Sequence, residues 1–177
     1  MIKRSGRGLV GPAGLLLALL CFGLPFLTVS CESPVMTVTA DYSGWDLAFG
    51  GQPHVESTGP SDQLQVRGPE TELPWQPFAL FAALVIVAGI VLTLARPHLA
   101  RLTGIVTGCL GALLLFAAER MARAAVIGGL KKEHVVVPGT LDKLVETRFG
   151  YWLALLLLLG VAAFNAVELA RDRRPPS

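Results

Sequence analysis

Four apolar stretches, Leu9–Val29, Phe78–Ala95, Leu102–Ala118 and Tyr151–Leu169, constrain this chain more than any other feature. Each is about 17–21 residues long, and a helix rising ~1.5 Å per residue needs about 20 to cross a hydrocarbon layer ~30 Å thick. The apolar residues cluster rather than recur at a fixed period, which points to membrane spans rather than a buried soluble core. Composition agrees: 53% of residues are hydrophobic and 16% charged, against about a quarter charged in an ordinary soluble domain. The expected fold class is all-α membrane, with four transmembrane helices in an antiparallel bundle and a small extracytoplasmic β-containing loop domain.

Local chemistry marks the ends of these spans. Pro25 stands near the outer end of the first, where a kink is tolerated. Pro77 occupies a first helical position before the second span, and Trp75 suits the membrane interface. Arg96-Pro97 closes that span, because proline disfavours helix at the residue before it. Tyr151-Trp152 supplies an aromatic anchor to the fourth.

Orientation follows from the basic residues. The tip carries Lys3, Arg4 and Arg7, the turn 96–101 carries Arg96 and Arg101, and the tail carries Arg171, Arg173 and Arg174. Between Glu32 and Gln76 there are seven carboxylates and one arginine, Arg67. By the positive-inside rule both termini are cytoplasmic in a plasma membrane, although segment 119–150 holds six Lys and Arg residues. The organisation is therefore 1–8 cytoplasmic, 9–29 first span, 30–77 outer loop domain, 78–95 second span and 96–101 cytoplasmic turn. It continues with 102–118 third span, 119–150 second outer loop, 151–169 fourth span and 170–177 cytoplasmic tail.

The outer loops carry strand signals. Val35–Thr39 is β-branched and runs into Asp41-Tyr42-Ser43-Gly44, a turn composition. Gln63–Arg67 alternates, and His134–Val137 is a third candidate from the other loop. An isolated hairpin is marginal in water, so the strands are expected to pair across the two loops over the outer helix ends. The third helix should project past the bilayer through Glu119–Arg123 as far as Gly128-Gly129. Segment Thr140–Phe149 has apolar residues at helical spacing and is expected to lie along the membrane surface.

The runs Leu24-Pro25-Phe26-Leu27-Thr28-Val29-Ser30-Cys31, Tyr42-Ser43-Gly44-Trp45-Asp46-Leu47-Ala48, Gly50-Gly51-Gln52-Pro53 and Arg148-Phe149-Gly150-Tyr151-Trp152-Leu153 resemble a group of small actinobacterial membrane proteins. That resemblance implies four helices with an outer domain and transfers no activity. The topology is also similar to claudin-like four-helix proteins, with a long first outer loop and a short second one. The cysteine pair of the claudin loop is absent, since Cys31 is the only cysteine in the outer region.

Candidate sites divide between loop and membrane. Leu27-Thr28-Val29-Ser30-Cys31 satisfies a loose lipobox, so Cys31 is a candidate lipidation site. The apolar stretch before it exceeds the ~7–15 residues of a signal sequence, which favours retention of the first span. Cys21 and Cys109 lie at similar depth and are read as packing residues. Gly104, Gly108 and Gly111 give the third helix small-residue spacing for close helix contact, within the chain or between copies. Asn165, the only asparagine, is expected to face Thr107 or Thr103 as interhelical glue. Tyr42, Trp45 and Asp46 are the candidate binding residues of the outer loop.

His54, His98 and His134 share no ligand spacing, and no triad, phosphate loop or paired-cysteine motif is present. No catalytic, cofactor or metal site is assigned. The net charge of +2 leaves no domain-wide basic surface for nucleic acid. The reading is a non-enzymatic integral membrane protein whose acidic outer loop binds an envelope component or partner protein, with the bilayer itself as its other partner. Two alternatives stay open: a small transporter or channel subunit that oligomerises through its glycine face, and a lipoprotein anchored at Cys31.

Overall fold

The computed structural model describes residues 10–32, 37–51, 54–58, 76–96, 99–132 and 145–172. In chain order the elements are α1 (Val10–Cys21), β1 (Pro25–Glu32), β2 (Thr37–Ser43), α2 (Gly44–Phe49) and β3 (His54–Thr58). They continue with α3 (Pro77–Ala95), α4 (Ala100–Lys132), β4 (Val145–Thr147) and α5 (Phe149–Asp172).

Three helices, α3, α4 and α5, are long and apolar enough to cross a membrane. The chain is thus compatible with an integral, multi-pass membrane protein. The expected first span is corrected. Its helix ends at Cys21 after 12 described residues, about 18 Å, and the run Pro25–Glu32 is a β-strand. Three tight backbone bonds close the helix: Phe22 N to Leu19 O, Gly23 N to Leu20 O and Leu24 N to Cys21 O, each 3.0–3.1 Å. Pro25 cannot continue an α-helical ladder, and the residues after it are aromatic and β-branched. Strand partners on both sides then satisfy the backbone that a helix would have satisfied internally.

The sheet has the order β3-β2-β1-β4, with every pairing antiparallel. Strand β1 comes from the end of the expected first span, β2 and β3 from the segment after it, and β4 from the segment before α5, so the sheet joins segments far apart in sequence. The strands differ from expectation. Asp41-Tyr42-Ser43 is not a turn but the end of β2, with Ser43 serving as N-cap of α2. Residues 145–147 of the expected surface helix form β4. The expected strands 63–67 and 134–137 lie outside the described residues. Helix α4 does not stop at Gly128-Gly129 and runs 33 residues to Lys132, about 50 Å. Its part beyond Glu119 rises about 20 Å past the level where the apolar run ends.

The helices pack α3 on α4, α4 on α5, α5 on α1 and α1 on α3. Small residues line these seams. Gly14 meets Val161 between α1 and α5, Gly89 meets Thr107 between α3 and α4, and Gly108 meets Leu158 and Ala162 between α4 and α5. Leu15, Ala18, Ile86, Leu115, Ala154 and Leu158 fill the core between them. The apolar side chains pointing outward, such as Leu20, Leu94, Leu113 and Leu156, suit lipid rather than water. At the ends away from the sheet, Arg101 pairs with Asp172 and ties the start of α4 to the end of α5.

Candidate functional site

The sheet sits at one end of the helices, opposite the Arg101–Asp172 pair, and is two-faced because its strands alternate. Leu27 of β1 pairs in register with Tyr42 of β2, and Val29 with Ala40. Leu27 and Tyr42 are buried, and Val29 and Ala40 pack against the same core. The opposite parity carries a polar row through all four strands: His54 beside Asp41, Asp41 beside Thr28, Thr28 beside Glu146. His54 and Glu146 are exposed, and Asp41 is half-buried.

Thr28 is the centre of this row and is fully buried. Its hydroxyl donates to Asp41 Oδ1 and accepts from Arg148 Nε at 2.7 Å. The arginine that follows β4 thus closes over the central strand. Its own backbone N–H donates to Phe26 O at 2.9 Å. Two residues on, Gly150 lies where a Cβ would stand 2.7 Å from both Leu24 Cβ and Pro25 O, so only glycine lets α5 start here without displacing backbone. Tyr151 then places its ring edge-on to Phe26 at 6.1 Å. The runs around Pro25 and around Gly150, far apart in sequence, form one clasp at the junction of sheet and helices.

A second polar group joins β4 to α4. Arg123 donates to Thr147 Oγ1 and pairs with Glu119 one turn earlier, and Thr147 Oγ1 lies 3.3 Å from the same carboxylate. Arg123 Nε is within ion-pair reach of Glu119, yet its N–H is not aimed at an oxygen and it lacks a hydrogen bond among the described residues. The ion pair governs here, because a guanidinium and a carboxylate in contact attract without ideal alignment. Beneath the sheet lies a cavity of about 10 Å³ lined by Phe26, Leu27, Leu47, Leu115, Glu119 and Tyr151 among others, the size of one water probe.

Tyr42, Trp45 and Asp46, the candidate binding residues, are engaged in building the fold. Asp46 accepts from Ser43 N at 2.9 Å and Ser43 Oγ at 2.6 Å, while Ser43 Oγ accepts from Asp46 N at 3.1 Å. This reciprocal capping box starts α2, and Gly50, at φ 70°, ends it. Trp45 packs on Phe22 at 5.6 Å and stacks on Phe49 at 5.8 Å. Tyr42 is buried against the helices. Burial, with the Asp46 carboxylate adding to it, raises its phenol above the usual tyrosine value.

Within the helices, Asn165 makes no hydrogen bond to Thr107 or Thr103 among the described residues. Its amide donates to Val161 O in its own helix at 2.8 Å, and it lies between Gly104 and Gly11. Thr107 packs on Gly89 instead, and Gly111 meets Leu158 and Ile86. A helical glycine opposite an asparagine leaves room for the amide, which then turns back to its own carbonyl rather than across the seam. Cys21 is buried and Cys109 exposed, both as free thiols. Cys31 lies in β1 in register with Val38.

Sequence reasoning missed Thr28, Arg148, Glu119, Arg123 and Thr147. The signal for the first was present: Leu27, Val29 and Cys31 alternate with Thr28, Ser30 and Glu32, a strand period inside what reads as a span. Among the described residues, no three His, Cys, Asp or Glu side chains converge on a metal position. The chain matches no protein-family model, and no curated protein matches it.

Proposed function

We propose that this protein is a four-pass plasma-membrane protein, non-enzymatic, whose outer sheet docks an envelope component or a partner protein. The reading rests on the sheet's two faces. One is cemented to the helices through Leu27 and Tyr42, and the other carries the polar row His54, Asp41 and Glu146 away from them, with buried Thr28 tying Asp41 to Arg148 beneath it. A roof clasped to the helices in two places is suited to presenting that row rigidly. Kinship with the small actinobacterial membrane proteins belongs to the same proposal, as does the reading of α1 with its preceding residues as a fourth span. Transport is the weaker reading, because the amide of Asn165 is turned back onto Val161 O.

Orientation comes first in testing it. In a Cys31→Ser background, a thiol introduced at Ser57 in β3 should react with an impermeant reagent on intact cells, and one at Ser177 should not. A photo-cross-linking residue at His54 should then trap a discrete adduct that the same residue at Leu159, on the apolar helix surface, does not give. Reversed labelling would sink the orientation, and adducts only at Leu159 would sink the docking face.

A further inference from the structure

Three arginines stand at the sheet end of α4 and α5, and two of them are committed. Arg148 is held by Thr28, and Arg123 by Glu119 and Thr147. Arg120 is different. Its side chain turns back one helical turn so that Cζ lies 5.6 Å from the centroid of the Phe116 ring. That ring is itself half exposed on the apolar surface of α4. Among the described residues Arg120 makes no ion pair or hydrogen bond.

The helix register sets what lies beside it. Gly108 meets Leu158 and Ala162, and Glu119 meets Thr147, so α4 and α5 run antiparallel with Phe116–Arg120 level with the first turn of α5. That turn carries Trp152, 53% exposed, whose ring rests edge-on against Tyr151 at 5.4 Å. An indole at the end of an apolar helix surface marks the boundary between acyl chains and headgroups. A guanidinium folded down toward that boundary lies at the level of lipid phosphates. Its planar fork matches two phosphate oxygens.

We propose that the outer end of α4 holds the phosphate of an anionic phospholipid. Arg120 is the ligand, Arg123 adds positive potential behind it, and Phe116 and Trp152 flank the glycerol region. Glu119 opposes this field, but it is turned inward to Arg123 and Thr147, with its side chain only 12% exposed. The net charge of the three side chains is +1, and it faces the headgroups. This goes beyond the docking face, which lies on the sheet and uses none of these residues.

The test uses the full chain in nanodiscs of phosphatidylcholine with a minor share of phosphatidylglycerol, followed by native mass spectrometry of retained lipid. Phosphatidylglycerol should be retained in preference to phosphatidylcholine. Arg120→Gln should lower that preference about fivefold, the change expected for one interfacial charge. Arg171→Gln, at the opposite end, should leave it unaltered. Thermal unfolding of Arg120→Gln should match the parent, and Arg120→Lys should keep an intermediate preference because charge remains and the fork is lost. Millimolar inorganic phosphate should not displace the bound lipid. Equal retention of the two lipids, an unaffected Arg120→Gln, or displacement by inorganic phosphate would each overturn the proposal. None of these results bears on whether His54 cross-links to a partner.

Discussion

Gly104 and Gly108 belong to one small-residue motif on α4, yet alanine at the two positions should have different costs. At Gly108 an added Cβ would stand 2.6 Å from Leu158 O, 3.0 Å from Ala162 Cβ and 3.1 Å from Ala162 N. Ordinary contact begins at 3.4 Å, so the closest approach is short by about 0.8 Å. Most of the obstacle is α5 backbone, which cannot rotate away, so the helices must part. A gap of ~0.5–1 Å forfeits a quarter to a half of each dispersion contact across the seam, and overpacking of this kind costs about 1–3 kcal/mol. At Gly104 the Cβ would stand 2.5 Å from Asn165 Nδ2 and 2.8 Å from Cγ, the end of a side chain that can swing. The loss there is the bond to Val161 O, ~0.5–1.5 kcal/mol net where the displaced amide finds another partner. The ~1 kcal/mol helix preference of alanine over glycine offsets it. The same preference acts at Gly108, so Gly108→Ala should be destabilising by about 1 kcal/mol net and Gly104→Ala nearly neutral. Gly160, with open space around it, is the control: alanine there should gain the helix preference alone, ~1 kcal/mol. Thermal unfolding in detergent micelles, followed by helical circular dichroism, measures all three. If Gly104→Ala proves as damaging as Gly108→Ala, the distinction between backbone and side-chain obstacles fails.

Three further outcomes follow from the sheet. Thr28→Val keeps the strand shape but removes both hydroxyl bonds, so it should cost about 1.5–3 kcal/mol; an unchanged unfolding midpoint would show that water replaces the hydroxyl. Intact-mass measurement should find residues 1–30 retained, since cleavage before Cys31 would remove α1 and most of the strand that β2 and β4 share; a diacylglycerol-bearing chain starting at Cys31 would refute this. The raised phenol of Tyr42 means that the folded state holds this proton more tightly than the unfolded one. Its contribution to stability is complete below the unfolded value near ~10 and is lost as pH rises through the folded value. Alkaline unfolding should accordingly be less steep in Tyr42→Phe than in the parent, and identical pH profiles would remove Tyr42 from the account.

The sequence made the three long helices legible because each is a continuous apolar run between polar or proline boundaries, a signal that needs no tertiary information. It misled at Pro25–Cys31, where high hydropathy reads equally as span or buried strand. Hydropathy averages over the window, and only the period-2 placement of Thr28 and Ser30 separates the two. The turn composition at Asp41–Gly44 misled for a related reason. Serine and aspartate favour turns and helix caps alike, and the choice depended on Asp46 standing three residues after Ser43. The candidate residues Tyr42, Trp45 and Asp46 drew attention as polar and aromatic groups beside glycines, and those properties serve a cap and a packing contact here. The clasp was illegible because its halves, Thr28 and Arg148, meet only through the sheet.

The order β3-β2-β1-β4 also has a temporal consequence. Strands β1, β2 and β3 emerge together, early in synthesis, and can pair as a local meander. The partner for the other side of β1 arrives more than a hundred residues later, after α3 and α4 have been made. Until then the central strand presents an open hydrogen-bonding edge, and Thr28 lacks its arginine. The roof thus closes only once the segment leading into the final helix has been made. Completion of the sheet therefore waits on a chain that already contains both α3 and α4.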